Sequence, residues 1–264
     1  MNLQGKHIAI TGASSGIGDA LARELARAGA RLSLISRRED LLRTLAKACG
    51  EHTFVAAHDL ANVEAATDWI PAAQDANGPI DVLINNAGIQ VIGRSWELPQ
   101  EQVETMMRLN LLTPMRLTRA VLPGMVARGE GAIVDVASMA ALAPTPFMMG
   151  YNASKCGLAG GSESLRAELK PSGVHVVTVY PGPIDTPMGR NGYASYEPTF
   201  SVRATPMGTT DVLARLIRRA IEKKRAQVIY PRIYALARWF PGTTRYFVDT
   251  FTPPPRTLKS GTEA

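Results

Sequence analysis

The hydrophobic residues of this chain fall in short runs that alternate with longer amphipathic segments. The segments repeat apolar positions every three or four residues, as Ala20, Leu21, Leu25 and Ala28 do, which is typical of helices that cover a sheet. The runs predict β-strands over residues 7–11, 31–36, 53–57, 82–85, 132–136, 174–179 and 227–230. Because strands and helices alternate, the pattern predicts βαβ units and a parallel sheet.

This alternation predicts an α/β fold, a Rossmann-type doubly wound parallel sheet of about seven strands in a single domain. We place the catalytic domain over residues 1–251, with a substrate loop or flap over about residues 183–210 and a basic, aromatic segment over about residues 215–251. Residues 252–264 read T-P-P-P-R-T-L-K-S-G-T-E-A, and we expect this polar, proline-rich stretch to be a disordered tail.

The composition excludes several classes of protein. A chain of 264 residues, 45% hydrophobic and 20% charged, can bury one ordinary core. Its two cysteines cannot form a disulfide framework and its four histidines are scattered, so we expect no metal site and a cytoplasmic location. The longest charge-free stretch, residues 136–154, contains Pro144 and Pro146 and is not expected to span a membrane, and the amino terminus lacks the pattern of a signal peptide.

The positive charge is concentrated near the carboxyl terminus. Residues 215–245 contain nine basic residues and one acid, a net charge of +8, against +6 for the whole chain. The remainder is therefore slightly acidic, which disfavours binding to nucleic acid. Aromatic residues interleave with these arginines, and three uses stay open: contact with an anionic membrane or an acidic carrier, packing in an oligomer, or simple solvation.

The first predicted strand leads into T-G-A-S-S-G-I-G, a strand, turn and helix. Glycines let the backbone turn tightly and approach a pyrophosphate, whose charge meets amide groups at the helix start. The spacing is G-x-x-x-G-x-G, and a glycine-rich turn also occurs as an ordinary turn. The candidate phosphate-binding residues are Gly12, Ser14, Ser15, Gly16, Ile17 and Gly18.

The end of the second strand bears on the choice of dinucleotide. An acid here would accept hydrogen bonds from the ribose hydroxyls of NAD, but the sequence has Ser36, Arg37 and Arg38. Guanidinium groups can form forked, charge-assisted hydrogen bonds to a 2′-phosphate. The pattern therefore favours NADP; the alternative is a pair of solvated arginines at a helix start.

Three residues further along have the chemistry for proton transfer. Tyr151 and Lys155 lie one helical turn apart, and a nearby ammonium is expected to lower the pKa of the phenol from about 10. Such a tyrosine can give a proton to a carbonyl oxygen or take one from an alcohol. Ser138 ends a predicted strand, where its hydroxyl can donate to an oxyanion. The alternatives are a pair on a helix surface and a serine in an ordinary turn.

In combination these motifs resemble the short-chain dehydrogenase/reductase family, from about Lys6 to about Tyr230. The resemblance rests on T-G-A-S-S-G-I-G, N-N-A-G ending at Gly88, Asn110, Ser138, Y-x-x-x-K and a later P-G. It implies a catalytic tetrad of Asn110, Ser138, Tyr151 and Lys155. In it the serine polarises the carbonyl, the tyrosine exchanges the proton, the lysine holds the nicotinamide ribose and lowers the tyrosine pKa, and the asparagine anchors a water relay.

The same resemblance assigns further residues to the cofactor. It implies an adenine site beside Asp59 and Leu60, a crevice lined by Asn86, Ala87 and Gly88, and nicotinamide contacts from Pro181, Gly182, Ile184 and Thr186. A basic residue at the position of Arg37 goes with a preference for NADP. One departure concerns Asp135 and Ala137, where family members often carry an asparagine and a second serine.

The loop after Ser138, M-A-A-L-A-P-T-P-F-M-M-G, carries no charge. It predicts an apolar substrate pocket that contains Leu142, Phe147, Met148 and Met149, although methionines also fill gaps in cores. We therefore expect hydride transfer between NADP(H) and a carbonyl or secondary alcohol, in a homodimer or homotetramer as the resemblance implies. Two alternatives stay open: NAD-dependent alcohol oxidation, and a non-catalytic regulatory protein that binds a dinucleotide.

Overall fold

The computed structural model describes residues 1–199 and 205–256, which fold into a single α/β domain. Seven parallel strands form one sheet in the order β3-β2-β1-β4-β5-β6-β7. They are β1 His7–Thr11, β2 Arg31–Ser36, β3 Thr53–Ala57, β4 Val82–Asn85, β5 Gly131–Val136, β6 Val174–Pro181 and β7 Gln227–Tyr230. The order reverses between β1 and β4, and ligands of such sheets bind at the carboxyl ends of the strands beside that point. The predicted fold class is confirmed.

Eight helices connect these strands within the described residues, and two more follow β7. They are α1 Gly16–Arg27, α2 Glu39–Cys49, α3 Ile70–Asn77, α4 Gln100–Met107, α5 Thr113–Arg128, α6 Met149–Glu168, α7 Pro187–Ala194, α8 Thr210–Glu222, α9 Leu236–Trp239 and α10 Pro241–Phe251. A π-helical turn, Arg108–Leu112, joins α4 to α5, and a 3-10 turn, Met139–Ala141, follows β5. Within the described ranges, no helix is long and apolar enough to cross a membrane.

The core lies on both faces of the sheet. Alternate strand residues point to opposite faces, so Ile8 and Ile10 of β1 pack with α1, α2 and α8 while Ala9 packs with α3 and α5. Burial on both faces explains why the strands are continuous apolar runs instead of alternating ones. The strands differ from their predicted bounds at two places: β5 begins at Gly131, which pairs with Val174, and β6 continues to Pro181, which pairs with Tyr230.

The two segments predicted to be irregular are described in part. Residues 200–204 of the predicted flap and residues 257–264 of the predicted tail lie outside the described residues. The described part of the flap contains α7. Pro255 of the predicted tail forms a bridge with Tyr196, and the backbone N–H of Arg256 donates to the carbonyl of Ser195 over 2.8 Å. Residues 255 and 256 therefore pack beside the end of α7.

Six of the nine basic residues of the carboxy-terminal segment precede β7, whereas its aromatic residues lie in β7 or follow it. Residues 223–225 precede β7 at its amino-terminal edge, and Arg218 of α8 pairs with Glu24 and Glu222 at 2.8 Å each. The exposed Trp239 and Phe240 follow β7 at the opposite edge. The segment is therefore not a single basic, aromatic face.

Candidate active site

A cavity of about 900 Å³ opens at the carboxyl ends of the strands and contains most of the predicted site residues. The glycine turn, the ends of β2, β3, β4 and β5, helix α6 and the loop after β6 all contribute to its wall. Five predicted residues do not line it: Gly18, Asn110, Leu142, Phe147 and Met149. The predicted cofactor and proton-transfer residues are thus brought to one place, whereas the predicted substrate residues are mostly not.

The glycine turn between β1 and α1 is shaped by close backbone contacts. Gly12 has a φ of +67°, and a Cβ there would lie 2.8 Å from the Cα of Ala87. A Cβ at Gly18 would lie 2.3 Å from the carbonyl oxygen of Gly12, so Gly18 supports the turn from behind. Ser15 precedes α1 without capping it by a side-chain hydrogen bond. The narrow turn and the uncapped helix start fit the phosphates of a dinucleotide.

The end of β4 holds this turn in position. The Asn86 side-chain amide donates to the carbonyls of Thr11 at 2.9 Å and Gly12 at 3.2 Å. The hydroxyl of Thr11 in turn accepts from the backbone N–H groups of Asn86 and Ala87 at 2.9 and 3.0 Å. Asn86 and Ala87 therefore fix the geometry of the turn as well as lining the cavity.

Two arginines border the same end of the cavity. The guanidinium of Arg38 donates to the hydroxyls of Ser14 and Ser15, at 2.8 Å each, so it lies over the glycine turn. The Ser36 hydroxyl accepts from the backbone N–H of Arg38 at 3.2 Å. Arg37 also lines the cavity, as does Asp59 after β3. This end of the cavity therefore presents two guanidinium groups to a ligand.

Ser138, at the end of β5, and Tyr151 of α6 lie beside each other on the cavity wall. The Ser138 hydroxyl oxygen accepts from the backbone N–H of Ala140 at 3.1 Å, which leaves its hydrogen free to donate. Burial raises the pKa of the Tyr151 phenol, and the hydrogen bond from Ser138 opposes that shift. Tyr151 is therefore a neutral phenol near neutral pH.

Lys155 is buried one turn further along α6. Its ammonium donates to the carbonyl of Val136 at 2.9 Å and lies 6.0 Å from the centre of the Tyr151 ring. Burial lowers the pKa of Lys155 to about 8, against the charge of Asp135, which raises it. The sequence predicts that Lys155 lowers the pKa of Tyr151, but in the structure the pKa of Tyr151 is raised, because burial disfavours the ionised phenol. Burial also disfavours the charged form of Lys155.

Asn110 lies behind the cavity wall, in the π-helical turn. Its side chain accepts from the Ile89 N–H and donates to the Ile89 carbonyl, at 2.9 Å each, and donates to the Ser154 hydroxyl at 3.1 Å. A Cβ at Gly88 would lie 3.0 Å from Asn110 Oδ1 and 3.4 Å from Lys155 Nζ. Asn110 and Lys155 are therefore neighbours beneath Gly88.

The loop after β6 closes the cavity over the glycine turn. Pro181, Gly182 and Ile184 line it, and Thr186 caps α7 by accepting from the backbone N–H of Gly189 at 3.0 Å. A Cβ at Gly16 would lie 3.1 Å from Thr186 Cγ2. The loop therefore packs directly against the turn and closes the cavity on that side.

The four residues predicted to form the substrate pocket lie in different surroundings in the structure. Met148 lines the cavity, but Leu142 packs against a cluster around Tyr180, and the side chain of Met149 is 61% exposed. The backbone carbonyl of Phe147 accepts from the N–H of Gly93 at 2.9 Å. The hydrophobic pattern of the sequence does not reveal these directions. Sequence reasoning missed apolar wall residues from other elements: Ile92, Tyr193, Tyr196, Phe247 and Phe251.

Asp135 lies on the side of β5 that faces α5 and α6, and it is buried. Its Oδ1 accepts from the Asn85 side-chain amide at 2.8 Å, and burial raises its pKa. It lines a second cavity, of about 930 Å³, between α5 and α6. The departure from the family pattern at this position thus places a carboxyl group near Lys155.

A Rossmann-type sheet with a glycine turn and a Tyr–Lys pair on one cavity is the arrangement of a dinucleotide-dependent oxidoreductase. The family model described as short chain dehydrogenase matches residues 6–197. The ketoacyl reductase HetN of Nostoc sp. is 34% identical over 230 residues, which cover 86% of this chain and 79% of that protein. The chain belongs to the short-chain dehydrogenase family.

Two solved structures have the same fold. The 3-ketoacyl-(acyl-carrier-protein) reductase from Brucella melitensis, complexed with NADH, aligns with a TM-score of 0.78 and 25% identity over 86% of this chain and 97% of that one. The L-sorbose reductase from Gluconobacter frateurii, complexed with NADPH and L-sorbose, aligns with a TM-score of 0.76 and 27% identity over 87% and 97%. These neighbours carry nicotinamide dinucleotides of both kinds.

Proposed function

We propose that this protein transfers hydride between NADP(H) and a carbonyl or secondary alcohol on a mainly apolar substrate. The observation that carries the proposal is the convergence of Ser138, Tyr151 and Lys155 on the cavity that also contains the glycine turn. A binding module has no need of a buried phenol and a buried amine beside the ligand. This convergence therefore favours an enzyme over a regulatory protein that only binds a dinucleotide.

NADPH, when bound, would supply the hydride for reduction, and NADP⁺ would accept it in the reverse reaction. The turn from Gly12 to Gly18 and the start of α1 would hold the pyrophosphate, while Arg37 and Arg38 would pair with the 2′-phosphate. Asp59 and Leu60 would border the adenine, and Asn86, Ala87 and Gly88 the middle of the crevice. The nicotinamide would contact Pro181, Gly182, Ile184 and Thr186. The two guanidinium groups at this end of the cavity, one of them over the turn, support NADP in preference to NAD.

The side chains of the pair at β5 and α6 then act on the carbonyl group. Ser138 donates a hydrogen bond to the carbonyl oxygen, where negative charge develops. Tyr151 gives that oxygen its proton, and burial keeps the phenol in the neutral form that this step requires. Lys155 holds the nicotinamide ribose, and Asn110, next to it, anchors the water relay that returns a proton to Tyr151.

A carbonyl panel with NADPH tests the proposal by the decrease in cofactor absorbance. Turnover should favour neutral, apolar carbonyls, and Tyr151→Phe should lower kcat by about 10²–10⁴-fold because the proton donor is lost. The same variant should bind NADPH normally in calorimetry. Absence of turnover with every carbonyl, or full activity of the variant, would overturn the proposal; turnover only of secondary alcohols with NAD would favour the alternative.

We further propose a homodimer or homotetramer built on α5 and α6. Met115 of α5 is 58% exposed, and both helices border the second cavity with apolar residues such as Leu122 and Leu158. Light scattering coupled to size exclusion should give a multiple of the chain mass, and Met115→Glu should shift the protein towards the monomer. The cytoplasmic location stays a prediction.

A further inference from the structure

Helix α10 forms the outer wall of the cavity at the end away from the arginines. Phe247, Val248 and Phe251 of this helix line the cavity, together with Thr252 and Pro253 after it. Phe247 is 54% exposed and Phe251 is 53% exposed. Each ring therefore contacts both the cavity and the solvent.

The two rings form one continuous apolar strip. Phe247 and Phe251 are one helical turn apart, so both project from the same side of α10. Their ring centres are 5.8 Å apart and their planes meet at 22°, a stacked arrangement. The strip therefore leads from the cavity towards the outside along the helix.

This wall is held in place by polar contacts. Arg245 of α10 donates to the carbonyl of Pro144, in the loop after Ser138, and pairs with Asp249 on its own helix. On the other side, the Tyr196 hydroxyl donates to the carbonyl of Pro146 at 3.2 Å. The apolar strip is thus anchored to the loop that also carries Ser138 and Met148.

The charged residues that line the cavity lie away from α7 and α10. Its charged lining residues, within the part of the chain that the structure describes, are Arg37, Arg38, Asp59 and Lys155, with His58 as a further titratable group. They belong to the ends of β2 and β3 and to α6. The wall made by α7 and α10 contributes apolar, tyrosine and threonine side chains, so it offers no countercharge to an ionic substrate.

We propose that the substrate carries a long unbranched hydrocarbon chain, which leaves the cavity along the strip formed by Phe247 and Phe251. The inference deepens the proposed function and rests on it. A compact substrate that fits within the cavity has no use for an apolar path to the solvent, and a sugar would leave its hydroxyls against the two rings. A flexible alkyl chain covers both rings and extends outward.

A series of methyl ketones tests this inference. The wild-type protein is given NADPH and ketones of about four, eight and twelve carbons, below their solubility limits, and kcat/KM is measured for each. We expect kcat/KM to rise with length, by up to about fourfold for each methylene that is buried. Phe247→Ala and Phe251→Ala should each lower the ratio of long-chain to short-chain kcat/KM by about tenfold.

Phe240→Ala is the matched control. Phe240 is 57% exposed and precedes α10, but it does not line the cavity, so its loss should leave the ratio unchanged. Binding of NADPH by each variant confirms that it is folded.

Three outcomes would overturn the inference. If the wild-type protein reduces all ketones alike, or if Phe240→Ala lowers the ratio as much as the two test variants, this inference is wrong while the proposed function stands. If no ketone of any length is reduced, the proposed function fails, and this inference fails with it.

Discussion

The two ends of the cavity are built in different ways. At the cofactor end, backbone approaches that exclude a Cβ at Gly12 and Gly18 fix the shape. At the substrate end, the wall consists of half-exposed rings on α10, tied to a loop by side-chain hydrogen bonds to carbonyls. The first kind of construction tolerates almost no change in residue type, whereas the second can be altered by single side chains. The difference predicts which substitutions abolish function and which only change the choice of substrate.

After the loss of Tyr151, the largest effect is expected at Ser138, between the two ends. Ser138→Ala removes a donor to the developing oxyanion, so kcat should fall by about 10²–10³-fold. The affinity for NADPH should be unchanged, as titration calorimetry would show. Ser172→Ala, in a turn after α6, is the control and should have normal kcat. A kcat for Ser138→Ala within a few-fold of the wild type would remove this residue from the proposed mechanism.

Gly18→Ala tests the rigidity of the cofactor end. The new Cβ would meet the backbone oxygen of Gly12 at 2.3 Å, so the turn must shift. We expect the free energy of unfolding to fall by about 1–3 kcal/mol, and the affinity for NADPH to fall by about tenfold or more, which corresponds to about 1.4 kcal/mol. Thermal denaturation and calorimetry measure the two.

Gly160→Ala is the control for this substitution. Gly160 lies in α6, and a Cβ at this position would have nothing within 4 Å, so alanine should stabilise the helix by about 0.5–1 kcal/mol. Equal behaviour of the two variants would show that the glycine turn is not rigid.

Arg38→Ala tests the choice of dinucleotide. Hydrogen bonds to a charged group contribute about 1.5–3 kcal/mol, so the Kd for NADPH should rise by about ten- to a hundredfold. The Kd for NADH should change little, because it has no 2′-phosphate. Arg43→Ala, which removes an arginine paired with Glu39 on the same helix, is the control. Equal weakening of both dinucleotides would contradict a role in NADP preference.

The smallest effect is expected for Asp135→Asn, on the pH dependence of kcat/KM. Lys155 has a pKa of about 8, so it keeps its proton below that value, and kcat/KM should fall as pH rises through it. The charge of Asp135 raises the Lys155 pKa, so Asp135→Asn should move this fall to lower pH, by about half a pH unit to one unit. Glu163→Gln, paired with Arg238 away from the cavity, should leave the profile in place. An unmoved or upward-shifted profile for Asp135→Asn would contradict the coupling.

The strands and the placement of Tyr151 beside Lys155 could be predicted because each depends on a local pattern. Apolar runs define the strands, and the spacing of Tyr151 and Lys155 puts them on one side of a helix whatever surrounds it. The pKa of Tyr151 could not be predicted, since burial depends on residues distant in sequence. The cofactor roles assigned to individual residues stay predictions.

The substrate end was predicted poorly for a similar reason. The directions of Leu142, Phe147 and Met149 depend on how an irregular loop packs, and no periodicity of the sequence records them. The contribution of α10 depends on its return to the loop after Ser138 from a distant part of the chain. The charge run of residues 215–245 does not form one surface, because six of its nine basic residues precede β7 and its aromatic residues lie in β7 or follow it. The use of this segment stays a prediction.

Helix α10 comes after the seventh strand along the chain and outside the sheet. A family that varies this helix can therefore diversify the molecules it accepts while inheriting the strand register and the chemistry unchanged. If α10 has the proposed role, we expect an exchange of the segment from 241 to 251 between homologues, with its partner at Pro144 retained, to change the substrates accepted without altering the sheet.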